Sequence, residues 1–310
     1  MPSKSKTLKS NWWSICKKIF LVIFLVHLVW FLVFIFQKFP VEDFAVENLK
    51  TKTFIAIAIV LAGGLIYFFW LRHYKAVKKI AVILREVFFI SYIAAFLYLL
   101  AGMIFNPPVT LTQAISLVSG NGLHRDYISY DEMGPNIKLA VIASEDQLFP
   151  DHDGFDLKAI KKAMKYNKRH PNKVRGASTI SQQVAKNVFL WQGRSHLRKG
   201  LEVFFTFSIE KCWTKKTILE RYLNVAEMGR GIFGIQAAAK KYFNKNANEL
   251  SRSEAAMIAA CLPNPKLYTV VPMSGWVAGR YGNILRQMSN LETDPDIQEL
   301  IGGTSVAEKK

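Results

Sequence analysis

The sequence predicts a mostly α-helical protein in which three membrane-spanning helices precede one helical domain. Three observations predict it. Long uncharged apolar runs fill the first third of the chain, helix caps and glycine or proline stops punctuate the rest, and strand-like alternation is nearly absent.

The apolar runs are 19–36 (IFLVIFLVHLVWFLVFIF), 54–71 (FIAIAIVLAGGLIYFFWL) and 87–105 (VFFISYIAAFLYLLAGMIF). Each comes close to the roughly 20 residues a helix needs to cross about 30 Å of hydrocarbon. The first is too long for the apolar stretch of a signal peptide, and no small-residue cleavage site follows it. Three such runs ahead of any amphipathic helix argue against the core of a soluble protein. The 310 residues carry a net charge of +18, with 51% hydrophobic residues and a mean hydropathy of +0.13, so the average combines two unlike regions.

Charge sets the expected orientation. The start, MPSKSKTLKS followed by Lys17 and Lys18, is basic without an acid. The first connection balances Lys38, Lys50 and Lys52 against Glu42, Asp43 and Glu47, and the second, RHYKAVKK, is purely basic. Basic loops stay in the cytoplasm. Three crossings then leave the N-terminus inside and place everything after Phe105 outside. The expected organisation is a membrane region over 1–106, a domain over 107–296 and a polar, disordered tail over 297–310.

Within the domain, Asp156 is placed to cap LKAIKKAMKYNK, and Ser251 with Glu254 has the spacing of a capping box before AAMIAACL, which LPNP ends. The stretch ILERYLNVAEMGRGIFGIQAAAKKYF reads as structural first: Asn224 with Gly229, Gly231 and Gly234 points to a close backbone turn between helices that shapes the wall of a cleft. Cys212 and Cys261 read as buried thiols rather than a bridge, Cys16 sits at the first span, and no spacing suggests a metal site.

Three stretches carry candidate chemistry. In SEDQLFPDHDGFD an apolar element delivers Glu145 and Asp146. A carboxylate at such an end is partly desolvated, which favours base strength; the alternative is a helix end dressed with solvated charge. Asp146 is placed to orient a neighbour, and His152 reads as a structural histidine before a ligand or base. In RGASTISQQVAKN, Gly176 and Ala177 lead into a helix whose first N–H groups form an anion site. Ser178, Gln182 and Lys186 lie on one polar face that suits a diphosphate, or equally a plain solvated surface. In GRSHLRKGLE, the cations Arg194, Arg198 and Lys199 cluster around Glu202, either as an ordinary helical ion pair or as a second acid held among cations.

Together these supply two carboxylates with cations between and beside them. A glycoside hydrolase needs a strong acid to protonate its leaving oxygen. A diphosphate leaving group needs little proton, and lysine and arginine meet its developing charge. Base plus cations outside a membrane therefore points to glycosyl transfer from a lipid diphosphate.

At these residues the sequence closely resembles the biosynthetic peptidoglycan glycosyltransferases (glycosyltransferase family 51), most of all the monofunctional transglycosylases of Gram-negative bacteria. The resemblance runs from about Asp131 to Met288 through EDQLFPDHDGFD, RGASTISQQVAKNVFL, RKGLE, ILERYLNVAEMGRGIFG and RSEAAMIAACLPNP. It implies a lysozyme-like, mostly helical fold with a membrane-proximal jaw, and a substrate, lipid II, that is joined to a growing glycan strand by inverting β-1,4 transfer. It implies Glu145 as catalytic base, Glu202 as a second acid, Lys186 and Arg194 as holders of the departing diphosphate, and Asp146, Ser178, Gln182, Gln183, Arg198 and Lys199 as substrate-binding residues. Such members usually carry one N-terminal span, so the extra spans are a departure. The residues leave open whether a divalent cation, Mg or Mn, bridges the diphosphate, and which cell-wall synthesis or division proteins are partners. Nucleic acid is excluded as a partner by the expected side of the membrane. The competing classes are a lysozyme-like lytic hydrolase and a non-enzymatic membrane scaffold; against the first, a neutral glycan gives Lys186 no anion to hold.

Overall fold

The computed structural model describes residues 4–38, 58–59, 62–193 and 195–302. The chain divides into two compact units, 1–98 and 99–310.

The first unit contains α1 (Lys4–Lys38) and most of α2 (Lys75–Ala101). Residues 12–35 of α1 and all of α2 are long and apolar enough to cross a membrane. Val22, Val26 and Val29 are 60%, 62% and 59% exposed, a surface suited to lipid rather than water. Lys17 pairs with Glu86 at 2.5 Å. The Phe24 ring meets Phe88 and Tyr92 edge-on at 5.2 and 5.0 Å, and His27 Nδ1 lies 3.2 Å from the Tyr92 hydroxyl. The partners advance in the same direction along both helices, so α1 and α2 run parallel.

Among the described residues, two helices meet the length of a span, where the sequence led us to expect three. The middle run, 54–71, is helical at 58–59 and 62–69 and closes in a 3-10 turn at Leu71–His73; its remainder lies outside the described residues. The stretch 62–69 reaches only about 12 Å. The third run shifts as well. RHYKAVKK, expected as a loop, contributes the first turns of α2, because lysine and alanine favour helix. The helix stops at Ala101 rather than Phe105, before Gly102, where a Cβ would lie 2.4 Å from the Trp213 ring.

The second unit runs through α3 (Leu111–Val118), β1 (His124–Arg125), α4 (Pro135–Glu145), α5 (Leu157–Arg169), α6 (Ile180–Phe189), α7 (His196–Cys212) and α8 (Lys215–Val225). It continues with β2 (Glu227–Gly229), β3 (Ile232–Phe233), α9 (Ile235–Phe243), α10 (Arg252–Cys261), α11 (Gly275–Leu291) and α12 (Pro295–Ile301). The expected caps form: Asp156 accepts from the Ala159 amide, and Ser251 and Glu254 close a capping box.

Helix α4 is the centre of the core. It starts at Gly134–Pro135, a proline in the first turn that sacrifices no intrahelical bond. Ile137, Ala140, Val141 and Ile142 are fully buried, against α10, α11 and α12. Each large aliphatic side chain buried this way contributes roughly 1.5–3 kcal/mol. On the other side of the unit α6 packs on α7, α8 and α3.

A small sheet, in the order β1-β3-β2, pairs β1 with β3 in parallel and β2 with β3 antiparallel. The turn expected between helices at GRGIFG is instead the hairpin joining β2 to β3, and its residues are not among those lining the cleft described below. Gly231 and Gly234 have φ of 69° and 85°, and a Cβ at either would strike the carbonyl oxygen of Asn121 or Asn224 at 2.0 or 2.6 Å. The side chain of Asn224 bonds both backbone groups of Ile128, which ties the hairpin's approach to the loop after β1.

The C-terminal limit differs from expectation. Pro295–Ile301 forms α12, capped by Asp294, with Ile297, Leu300 and Ile301 buried, so the folded unit extends past 296. It also begins at Leu99 rather than 107. Cys261 is buried as expected; burial pushes its thiol up to about 12, and its Sγ–H donates to the Met228 carbonyl at 3.3 Å. Cys212 is half-buried, and both thiols are free.

Candidate active site

Glu145 is the last residue of α4, so a helix buried along most of its length aims it. Its side chain is 12% exposed. Gln183 Nε2 donates to Oε2 at 2.9 Å, Ser144 Oγ donates to Oε1 at 3.1 Å, and Arg280 Nη2 stands 3.5 Å from Oε1. Arg280 is itself held by the Ser144 carbonyl at 3.2 Å. Behind Gln183, the fully buried Tyr222 donates its hydroxyl to Gln183 Oε1 at 3.2 Å. Burial, reinforced by the charge of Glu145, holds that hydroxyl well above its ordinary pKa, so it remains a donor. A carboxylate has about four acceptor positions; these three donors leave Glu145 one. Glu145 borders an open cleft of about 590 Å³, whose wall includes Ser178, Gln183, Pro263 and Arg280.

Asp146 lies in the wall of the cleft but is only 7% exposed, both of its oxygens being taken up by the protein. Its Oδ2 accepts the Ile180 amide at 3.0 Å, and its Oδ1 lies 2.9 Å from His152 Nε2. His152 Nδ1 accepts the Gly154 amide at 3.1 Å, so the imidazole proton sits on Nε2, facing Asp146. His152 is thus structural, as its sequence context suggested. Its carbonyl accepts from Lys215 Nζ at 2.6 Å, and Lys215 also pairs with Glu210 at 2.9 Å.

Two expectations change here. The N-terminus of α6, expected as an anion site for substrate, receives the chain's own anion, Asp146. A buried carboxylate at a helix N-terminus is worth up to about 2 kcal/mol in itself. Gln182 does not line the expected polar face. It is buried and folds back to accept the Thr179 amide at 3.1 Å, while Thr179 Oγ1 accepts the Gln182 amide, a capping box. Its neighbour Gln183, about 100° further round the helix, is the one that reaches Glu145. Ser178 is exposed at the cleft.

Lys186 lies one turn beyond Gln183 on α6. Burial lowers its pKa, the charge of Glu202 opposes that, and Arg198 and Lys199 add to the lowering. Glu202 is 3% exposed; Arg198 Nη1 donates to its Oε2 at 2.6 Å and Lys199 to its Oε1. The Arg198 Nε is buried without a hydrogen-bond partner. Glu202 is therefore both an ion-pair partner and an acid set among cations. The described cleft wall holds Glu145, Asp146, Ser178 and Gln183, whereas Lys186, Arg198, Lys199 and Glu202 lie off it; α6 links the two groups. Arg194 lies outside the described residues. No group of three or more His, Cys, Asp or Glu among the described residues is placed to hold a metal.

A family model described as transglycosylase matches residues 112–289. The chain belongs to the transglycosylase family. Its similarity to curated proteins agrees: it is 55% identical over 176 residues to the biosynthetic peptidoglycan transglycosylases of Escherichia coli and Shigella boydii, over 57% of this chain and 73% of each relative. The family model spans every stretch that carries candidate chemistry.

Within this transglycosylase the sequence reading missed Arg280, Tyr222 and Ser144. Ser144 directly precedes Glu145, and Tyr222 lies inside a motif read as structural, so local context held a signal for both. Arg280 reaches Glu145 from far along the chain, and nothing near it marks that contact. The Gln182 reversal did have a signal, the T-x-x-Q spacing of Thr179 and Gln182.

The adjacent glutamines separate by experiment. Gln182→Ala should cost about 1 kcal/mol of stability through the lost cap, read as a lower thermal midpoint. Gln183→Ala should leave that midpoint within a degree or two and lower kcat at least tenfold. The opposite pattern would reverse the assignment.

Proposed function

We propose that this transglycosylase polymerises lipid II into β-1,4-linked glycan at the outer face of the inner membrane. Glu145 removes the proton of the acceptor's 4-hydroxyl in the cleft. The oxygen attacks C1 of the donor sugar from the face opposite the diphosphate, forming the glycosidic bond with inversion. The C1–O bond to undecaprenyl diphosphate breaks, and its electron pair leaves on the diphosphate. Lys186, with Arg194, Arg198 and Lys199, meets that charge, and Glu202 keeps Arg198 and Lys199 in place. The observation that carries this reading is the helix α6 link: Gln183 holds Glu145, and one turn on, the half-buried Lys186 feels the charges of Glu202, Arg198 and Lys199.

The described side chains around Lys186 do not form a cradle for Mg or Mn. Glu202 is already engaged by two cations, and Asp146 by the α6 amide and His152.

The lysozyme-like architecture is part of the proposal, supported by a glutamate presented to a cleft by a buried helix. So is the jaw. Leu111, Ile115 and Val118 leave an apolar face of α3 exposed, and Trp191 and Leu197 are exposed as well, which suits a membrane-proximal surface. The middle run, 54–71, is proposed as the third crossing. What supports it is the parallel course of α1 and α2: two parallel spans need a return between them. An odd number of crossings then puts the basic N-terminus inside and the catalytic unit outside.

Purified protein in detergent should convert lipid II into long glycan, and Glu145→Gln should slow this by about 10²–10⁴-fold, the usual contribution of a general base. Equal rates would remove Glu145 from that role, and release of soluble fragments from finished cell wall would favour a hydrolase instead.

For the topology, a protease-cleavable tag at the N-terminus should survive protease added to intact spheroplasts, while one after Lys310 should be cut. Cleavage of both tags would leave two crossings, not three.

A further inference from the structure

A second cavity, of about 480 Å³, lies within the first unit between α1 and α2, far in the sequence from the catalytic residues. Lys17 and Lys18 from α1 and Arg85 from α2 contribute its charge, and Ser14 adds a hydroxyl. One acid adjoins them: Glu86 takes Lys17 on Oε2 at 2.5 Å and Arg85 on Oε1 at 3.1 Å. Three cations against one carboxylate leave a surplus of two positive charges. No ion pair among the described residues holds Lys18, which is exposed. Lys17 and Arg85 also retain N–H groups beyond those given to Glu86.

The cavity is graded along the helix axes. Ser14, Lys17, Lys18 and Arg85 come just before the apolar stretches that begin at Ile19 and Val87. Leu21 and Phe89, one turn deeper on each helix, supply the apolar side. Because the helices run parallel, both sets of polar residues lie at one level and both apolar residues at the next. Trp13, with Lys17 5.2 Å above its ring, is placed where indoles sit at a membrane surface. A cationic rim above an apolar floor, between helices at the end of a span, has the polarity of a phospholipid: phosphate outside, acyl chain inside.

We propose that this cavity binds an anionic phospholipid of the surrounding bilayer, with the headgroup phosphate on Lys18 and Arg85 and the acyl chain along Leu21 and Phe89. This site is separate from the lipid II site and requires only that α1 and α2 lie in a membrane. Glu86 sets its specificity. It neutralises part of the charge and fixes Lys17 and Arg85 in one geometry, so that a bound phosphate completes the balance. A zwitterionic lipid brings its own cation to a rim already in surplus, which disfavours it.

The test uses the full chain in detergent, titrated with phosphatidylglycerol or with phosphatidylcholine of the same acyl chains, and bound lipid counted by native mass spectrometry. Phosphatidylglycerol should bind at least tenfold more tightly than phosphatidylcholine. The double variant Lys18→Gln, Arg85→Gln should lose on the order of tenfold or more of that affinity, from about one cation–phosphate attraction per residue removed. A control double variant, Lys78→Gln, Lys79→Gln, removes the same charge from α2 outside the cavity and should bind as wild type does. Equal binding of the two lipids, undiminished binding by the cavity variant, or an equal loss in the control would each overturn the proposal. Catalytic failure of the protein would not bear on it, since the readout is lipid bound and not glycan made.

Discussion

The site depends on one buried carboxylate. Asp146 accepts the first amide of α6 with one oxygen and faces the His152 ring with the other. That pair of bonds joins the end of the core helix α4 to the start of α6. Glu145 and Gln183 consequently meet across the junction, and the register of α6 places Lys186 one turn further on. A helix N-terminus attracts an anion in any case; here the chain supplies it internally.

The same economy of charge recurs around Lys186. Its burial penalises the ammonium, and Glu202 offsets the penalty from within a pair of cations. An isolated buried acid there would be costly, as would an isolated cluster of cations. Arranged together they leave a positive excess around Glu202. That excess lies off the wall of the cleft, one turn along α6 from the glutamine that holds Glu145.

Much of this was legible in the sequence, and the failures have identifiable causes. Glu145, Asp146 and the cations stand in motifs whose residue types suit only a few chemistries, and their neighbours in sequence are their neighbours in space. Gln182 and Gln183 are chemically identical, so only the cap geometry of Thr179 distinguishes the buried one from the one that reaches Glu145. Arg280 reaches Glu145 from α11, a contact set by tertiary packing that leaves no local mark. The strands β1, β2 and β3 are too short for alternation to register, although their glycines were visible. Hydropathy found the apolar runs but not their helical limits, since the lysines before Val87 extend α2 without being apolar. The last helix, α12, was hidden by its brevity; Asp294 and Pro295 mark its start in retrospect.

The most direct measurement of the Asp146 junction is hydrogen–deuterium exchange over residues 178–184, taken alongside lipid II turnover, in wild type and Asp146→Ala. If the junction holds the site together, removing that carboxylate frees the Ile180 amide. Protection should then fall in this segment, with kcat reduced by two orders of magnitude or more while α10 and α11 keep their protection. Unchanged protection at 178–184, or normal turnover despite its loss, would contradict the account.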